Sequence, residues 1–266
     1  GPLVADAVQW QVNQTLHNDF GLVAAGLIRD EIRKGSSGKQ LINDMFRILP
    51  LGSGVYDDSP GYSLAQVFIT AQEVKNVLEA MLLAPKMNPS NYPYWSGIKF
   101  KYNPKRILLD QVYEVSMGSE EKGYEIIDLS KKNEKLYSLA TDNYVLEFFG
   151  LISEVTYGLL KVVPKDEFGQ TVEDLNSLLI DANPNEPGLQ EMKEWAAIMK
   201  YVNKFPDTDG NSIPYIPDYY RVPHLAGERI PSMNPVHLWA NGNGIMTGVS
   251  IFALVVLSAT GLIFLL

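Results

Sequence analysis

The sequence predicts an α+β fold, in which a mixed sheet covered by helices is followed by a helical, proline-rich extension and one transmembrane helix. Three observations support this fold class. Apolar residues recur at both helical and strand spacing in the first 160 residues. Six of the 16 prolines lie between residues 206 and 235, and the last 22 residues carry no charge. We therefore expect three segments, with boundaries at 1–160, 161–244 and 245–266.

The first elements are predicted from the spacing of apolar residues. Residues 3–16 carry apolar side chains at helical spacing and predict a first helix. Residues 23–28 and 67–69 are short apolar runs, which are typical of buried strands. Residues 70–73 read Thr-Ala-Gln-Glu, a capping box, so a second helix should begin there.

Strands are predicted in the middle of the chain. Apolar and polar residues alternate in residues 98–102, as in a half-buried strand. Residues 107–117 and 136–140 are also expected to form strands, with a polar turn at residues 118–123.

The extension begins with two predicted helices, residues 171–181 and 189–205. Thr171 is the expected cap of the first, and Pro206 should end the second. The prolines that follow predict an irregular connector, residues 206–235, that leads to the membrane.

Composition excludes several function classes. The net charge is −9, which makes nucleic acid an unfavourable partner, since phosphate binding needs a basic surface. There is no cysteine, which excludes disulfides, thiolate catalysis and cysteine metal sites. The three histidines form no ligand motif, so we predict no metal, no cofactor and no catalytic residue in this chain. Gly1 is not an initiator methionine, which indicates a processed or truncated product.

The segment 245–266 is predicted to cross a membrane, with lipid as its partner. Its 22 residues are uncharged. As a helix it would be about 33 Å long, close to the ~30 Å thickness of the hydrocarbon core. A buried core helix and a lipid-anchor signal are the alternatives, although the polar spacer before the segment is short for an anchor signal.

Two arginines form a candidate anion site. Arg29 and Arg33 are four residues apart, so on a helix their guanidinium groups would share one face and could bind a phosphate or a carboxylate. The alternative is that both are solvated and paired with Asp30, Glu31 or Asp44.

Six segments resemble, in the same order, motifs of the 5′-nucleotidase C-terminal domain family. Residues 1–7 (GPLVADA) resemble its G-N-L-V-A-D-A opening, and residues 26–29 (GLIR) resemble its N-G-G-I-R. The other four are residues 49–52 (LPLG, family L-P-F-G), 70–82 (family T-G-x-x-L-x-x-x-L-E), 96–98 (SGI, family S-G-I) and 137–144 (YSLATDNY, family Y-x-V-A-T-N-D-Y/F). The resemblance covers about residues 1 to 160.

The resemblance implies a binding role for named residues. In that family this domain binds the base and ribose of a nucleotide, and a separate domain with two divalent metals cleaves the phosphate. By position, Arg29 matches the motif arginine, and Tyr92 and Tyr144 lie near or at the two base-stacking positions. Ordinary packing is the alternative for both tyrosines. Ala25 and Leu27 replace polar or small family residues, and residues 147–150 (EFFG) replace a G-G-D-G-like loop, which removes ligand contacts.

Two functions follow from the resemblance. The chain is either the nucleotide-recognition portion of a membrane-anchored 5′-nucleotidase-like phosphohydrolase, or a non-catalytic relative that serves as a structural or docking subunit of a membrane complex. The expected partners are accordingly a nucleoside or nucleotide, or other subunits. Because members of the family are mostly exported, the soluble domain is expected on the periplasmic or extracellular side.

Overall fold

The structure, a computed structural model, describes residues 1–34, 36–88, 90, 92–222 and 224–243. It confirms the mixed α+β class for this part of the chain. The helices are α1 (Pro2–Val12), α2 (Ile42–Phe46), α3 (Ala71–Met87), α4 (Asn143–Val155), α5 (Glu194–Asn203) and α6 (Pro235–Trp239). The strands are β1 (Phe20–Ala24), β2 (Leu64–Thr70), β3 (Pro93–Ser96), β4 (Ile98–Tyr102), β5 (Val112–Ser119), β6 (Gly123–Ile126), β7 (Leu136–Asp142) and β8 (Gly227–Arg229).

The strands form two mixed sheets rather than the one that the sequence predicts. The first has the order β2-β7-β1-β3 and the second the order β6-β5-β4-β8. The chain passes from the first to the second at Gly97, whose φ is +74°. A Cβ at this glycine would lie 2.4 Å from Gln9 Nε2 and 2.7 Å from the Asp19 carbonyl oxygen. The change of sheet therefore depends on a residue without a side chain.

Helices cover both faces of the first sheet. In β1, Leu22 packs in a core cluster with residues of α3 and α4, whereas Val23 packs with residues of α1 and α5. Because both faces are buried, β1 is a continuous apolar run without alternation.

The capping box of α3 is confirmed. Thr70 Oγ1 accepts a hydrogen bond from Glu73 N at 3.3 Å, and Glu73 Oε2 accepts one from Thr70 N at 2.8 Å. The predicted first helix is present as α1, which ends at Val12 rather than at Leu16. The strands expected at 67–69, 98–102 and 136–140 are present within β2, β4 and β7.

Two predicted strands have wrong boundaries. The strand expected at 23–28 is β1, which begins at Phe20 and is followed by a 3-10 turn, Ala25–Leu27. The strand expected from residue 107 begins at Val112, because the preceding residues form a turn. Arg106 Nε donates to the Asp110 carbonyl oxygen at 2.6 Å in that turn.

The first predicted helix of the extension, 171–181, is wrong, and the second, 189–205, begins too early. Residues 171–181 contain only a 3-10 turn, Leu175–Leu178, and α5 starts at Glu194. In both cases the edge strand β2, or the residue just before it, pairs with backbone that the predicted helix would use. Ala65 forms a bridge with Leu179, and Ser63 forms one with Lys193. These pairings hold the residues extended, so neither helix reaches its predicted length.

The proline-rich segment is docked on the domain rather than being a free connector. Its strand β8 pairs in parallel with β4, and Phe100 lies opposite Gly227. A Cβ at Gly227 would lie 2.6 Å from the Phe100 ring, so the close pairing requires glycine there.

A buried ionic network holds the end of the described chain. Asp110 contacts Lys75 Nζ at 2.5 Å and Arg106 Nη2 at 3.0 Å, and all three side chains are fully buried. Arg106 Nη1 donates to the Ala240 carbonyl oxygen at 2.7 Å, and Asn243 N donates to Asp110 Oδ1 at 3.0 Å. The chain just before the predicted membrane segment is thereby fixed to the folded domain.

Among the described residues, no helix is both long and apolar enough to cross a membrane. The predicted transmembrane segment, residues 245–266, lies outside the described residues.

Candidate functional site

Two neighbouring parallel strands, β1 and β7, end at the same edge of the first sheet. Gly21 pairs with Ala140 in this parallel register, so the chain leaves the sheet at nearby points after Ala24 and after Asp142. We call this end of the sheet, where β1 and β7 terminate, the carboxyl edge. In open α/β sheets, ligands commonly bind beyond the carboxyl ends of parallel strands, which makes this edge the candidate site.

Three aromatic rings lie at the carboxyl edge, and we call them the Tyr144 cluster: Tyr62, Tyr144 and Phe148. The Tyr144 ring centroid is 5.4 Å from that of Tyr62 and 5.0 Å from that of Phe148. Residues 49–52 reach the same place, since a Cβ at Gly52 would lie 2.6 Å from Tyr62 Cγ. Two segments that are far apart in the sequence, 49–52 and 137–144, therefore meet here.

Two buried carboxyl groups, Asp142 and Glu194, lie beside this cluster. Asp142 Oδ1 accepts a hydrogen bond from Val145 N at 2.9 Å and so caps α4. Its Oδ2 and Glu194 Oε1 have no hydrogen-bond partner within the described part of the chain. Glu194 N donates to the Tyr62 carbonyl oxygen at 3.1 Å, so the backbones of these two residues are adjacent.

Burial changes how this acid pair titrates. It raises the pKa of Asp142 to about 7. It also raises the pKa of Glu194 well above its ordinary value, and the nearby Asp142 charge adds to that shift. At least one of the two carboxyl groups is therefore protonated near neutral pH.

A second polar network joins the extension to the same edge. Glu191 accepts hydrogen bonds from Ser63 Oγ and from Lys193 Nζ, the latter at 2.9 Å. Lys193 also lies 3.3 Å from an Asp57 carboxylate oxygen. Hydrogen bonds from Ser63 and Lys193 hold the pKa of Glu191 below its ordinary value despite its burial. Glu191 is thus a buried anion that fixes the extension against the sheet.

The two predicted arginines follow β1 at the carboxyl edge, but not on a helix. Residues 28–34 have no regular structure. Arg33 forms ion pairs with Asp30 at 3.4 Å and Glu31 at 3.3 Å, in agreement with the solvated alternative. The exposed Arg29 donates from Nη1 to the Gly26 carbonyl oxygen at 3.3 Å and makes no ion pair in the described part of the chain. Arg29 therefore keeps donors free for a ligand.

Tyr92 immediately precedes β3, which is the strand on the other side of β1 from β7 and the Tyr144 cluster. Its carbonyl oxygen accepts a hydrogen bond from Ala25 N at 2.8 Å, and its ring packs edge-to-face on Tyr94 at 5.3 Å. Among the described aromatic residues, no ring contact joins Tyr92 to Tyr144. The residues that follow them, Pro93 and Val145, both line one small apolar pocket. The structure brings the two segments together but leaves their rings in separate pairs, so the joint role of the predicted residues stays a prediction.

Sequence reasoning missed several residues of this edge. Tyr62 and Glu194 have no local motif, and their proximity to Tyr144 and Asp142 follows from long-range packing. A signal existed for Asp142, which ends a strand and precedes a helix and so has the typical position of an N-cap.

Among the described residues, no three histidine, aspartate or glutamate side chains lie close enough together to hold a metal ion.

Solved structures of several nucleotidases resemble this chain. NAD nucleotidase from Haemophilus influenzae superposes with a TM-score of 0.50 at 18% identity, over 87% of this chain and 33% of that protein. A 5′-nucleotidase precursor from Thermus thermophilus gives a TM-score of 0.49 at 16% identity, over 75% of this chain and 31% of that one. The chain thus spans about a third of the length of these proteins. No curated protein is significantly similar to it in sequence.

The Tyr144 cluster and the strands β1 to β7 all lie within the first 150 residues. Residues 1–150 match the family described as 5′-nucleotidase, C-terminal domain. This match covers more than half of the 266 residues, and it includes all six motif segments. The chain belongs to the 5′-nucleotidase C-terminal domain family.

Proposed function

We propose that this chain is the nucleotide-recognition part of a membrane-anchored 5′-nucleotidase-like phosphohydrolase, whose two-metal catalytic domain lies outside it. The main support is the meeting of residues 49–52 and 137–144 at the Tyr144 cluster, since both segments resemble family motifs. A tyrosine face there can stack on a nucleobase. Arg29, which follows β1 at the same end of the sheet, has free donors for the polar part of a nucleotide.

The roles within the proposed site follow from exposure and pairing. In this proposal Tyr144 provides the main stacking surface, and Tyr92, with 37% of its surface exposed, is the second ring available to the base. Arg29 binds the ligand directly. Arg33 contributes through its pairing with Asp30 and Glu31, which orders the loop.

Replacing Tyr144 with alanine is expected to weaken adenosine binding by roughly fivefold or more, because stacking on one aromatic ring contributes about 1–3 kcal/mol. Isothermal titration calorimetry of the full chain measures the effect. Tyr157→Ala is the matched control, since Tyr157 is 94% exposed and lies at the other end of α4. Equal affinities of wild type and Tyr144→Ala would contradict the proposal.

The second candidate is a non-catalytic docking subunit of a membrane complex. Residues 147–150 favour it, because they lie within α4 rather than in a glycine-rich loop. Phe149 is fully buried in the core, and Phe148 fills space beside Tyr144. Absence of any detectable adenosine or nucleotide binding by the wild type would support this candidate over the first.

The membrane anchor is part of the same proposal. Residues 245–266 are uncharged and follow directly on a segment that is hydrogen-bonded to the domain through Asp110. We propose that they cross the bilayer, with the domain on the periplasmic or extracellular side.

Deletion of residues 245–266 is expected to move the protein from the membrane fraction to the soluble fraction after cell lysis, because this segment supplies the apolar length needed to span the bilayer. Fractionation with a high-salt wash measures the shift, and the full chain is the control. Retention of the deleted form in washed membranes would overturn the anchor. Protease digestion of intact cells or spheroplasts reports on which side the domain lies.

A further inference from the structure

A large cleft lies at the opposite end of the first sheet from the carboxyl edge. It has a volume of about 1010 Å³ and is bordered by α1, the β5–β6 hairpin, α5 and the residues Tyr219 and Tyr220. Asp19, which immediately precedes β1, lines it, whereas the carboxyl edge follows the last residue of that strand. The five residues of β1 separate the two places by about 17 Å at 3.3 Å per residue. The cleft is therefore distinct from the proposed nucleotide site, and its size suits a small molecule.

The charges around the cleft are predominantly negative. Three lysines line it: Lys122, Lys135 and Lys204. Six carboxylate side chains also line it: Asp6, Asp19, Glu120, Glu121, Glu125 and Asp128. This excess favours a cationic ligand, as does the net charge of −9 of the whole chain.

Two acceptors in the wall are suited to a ligand that donates hydrogen bonds. Asn18 is 3% exposed, and its Oδ1 accepts no hydrogen bond within the described part of the chain. Asp6 accepts from Ser96 Oγ at 2.5 Å and from Tyr220 Oη at 2.8 Å. A carboxylate can accept about four hydrogen bonds, so Asp6 retains acceptor capacity. An ammonium group has donors only and complements both residues.

The aromatic rings of the cleft already contact ammonium groups of the protein. Lys204 Nζ lies 4.4 Å from the Tyr201 ring centroid and 5.4 Å from that of Trp10. Lys99 Nζ lies 4.2 Å from the ring centroid of Tyr124, another lining residue. Cation–π attraction of this kind is a general means of recognising organic ammonium ions. Lys204 has no salt-bridge partner in the described part of the chain, and it occupies the ring surface that an external ammonium would use.

We propose that this cleft binds a small organic polyamine, through Asp6, Asn18 and the ring of Trp10. Primary ammonium groups of the ligand donate to Asp6 and Asn18, and its methylene chain lies along the aromatic side chains. Lys204 competes with the ligand for the rings of Trp10 and Tyr201, so it limits the affinity.

The test is calorimetric titration of the full chain with spermidine, with 1,8-octanediol as an uncharged ligand of similar length. Spermidine should bind saturably at one site, and the diol should not. Asp6→Asn should weaken spermidine binding roughly tenfold, since a charge-assisted hydrogen bond is lost. Glu173→Gln is the matched control, because it changes the net charge equally at an exposed position outside the cleft, and it should leave the affinity unchanged.

A second variant tests the competition by Lys204 without touching a buried group. Lys204→Met should strengthen spermidine binding by roughly three- to tenfold, because the rings become free and a like charge is removed. Lys200→Met, one turn earlier on α5 and also exposed, should have no effect. Equal binding of the diol, equal weakening by Glu173→Gln and Asp6→Asn, or unchanged affinity of Lys204→Met would each overturn the proposal.

Discussion

Replacing Asp110 with alanine is expected to lower the free energy of unfolding by about 3–5 kcal/mol, which is typical when one partner of a buried ion pair is removed. The reason is that Lys75 and Arg106 would both remain as buried cations without their carboxylate. The backbone N–H of Asn243 would also lose its acceptor, Asp110 Oδ1. Urea denaturation followed by circular dichroism measures the change.

The matched control for Asp110 is a partly exposed ion pair between β4 and β5. Glu114 lies 2.8 Å from Lys101, and both side chains are partly solvent-exposed. Glu114→Ala should therefore change stability by less than about 1 kcal/mol. A similar loss in both variants would show that the network around Asp110 does not hold the C-terminal segment as described.

Replacing Asp142 with asparagine is expected to stabilise the domain at pH 8, and the gain should shrink steadily as the pH is lowered toward the unfolded-state pKa of the carboxyl group. The pKa of Asp142 is raised from 3.8 to about 7 by burial. Between these values the native state binds more protons than the unfolded state, so the stability of the wild type falls as the pH rises. The gain at pH 8 should be on the order of 2–4 kcal/mol. Asparagine keeps the cap, since its side-chain oxygen also accepts from Val145 N.

Thermal and urea unfolding between pH 4.5 and 8.5 test this dependence. Glu194→Gln should act in the same direction, because Glu194 is itself a buried carboxyl group whose pKa burial raises well above its ordinary value. The control is Asp174→Asn, a cap at an exposed 3-10 turn, which should leave the pH dependence of the wild type in place. If the stability of Asp142→Asn depends on pH in the same way as that of the wild type, ionisation of the Asp142–Glu194 pair does not destabilise the native state.

Local chemistry and motif order could be interpreted from the sequence alone. The helix α3 was predicted because its capping box lies within four consecutive residues, and strand β4 because its alternation reports burial on one face. The six segments that resemble the 5′-nucleotidase C-terminal domain family occur in the same order, and the family match confirmed that resemblance. These features need no information about distant residues.

Tertiary structure decided what depended on distant partners. Residues 171–181 are extended where they bridge to β2, since an unpaired strand edge stabilises a backbone that local propensity would make helical. The second sheet depends on Gly97, where a Cβ would collide with Gln9 and Asp19. At the candidate site, the sequence indicated Tyr144 and Arg29, but Tyr62 and Glu194 join them only through packing. Residue spacing encodes local structure, whereas burial and proton affinity at Asp142 and Glu194 arise only when the chain brings these carboxyl groups together.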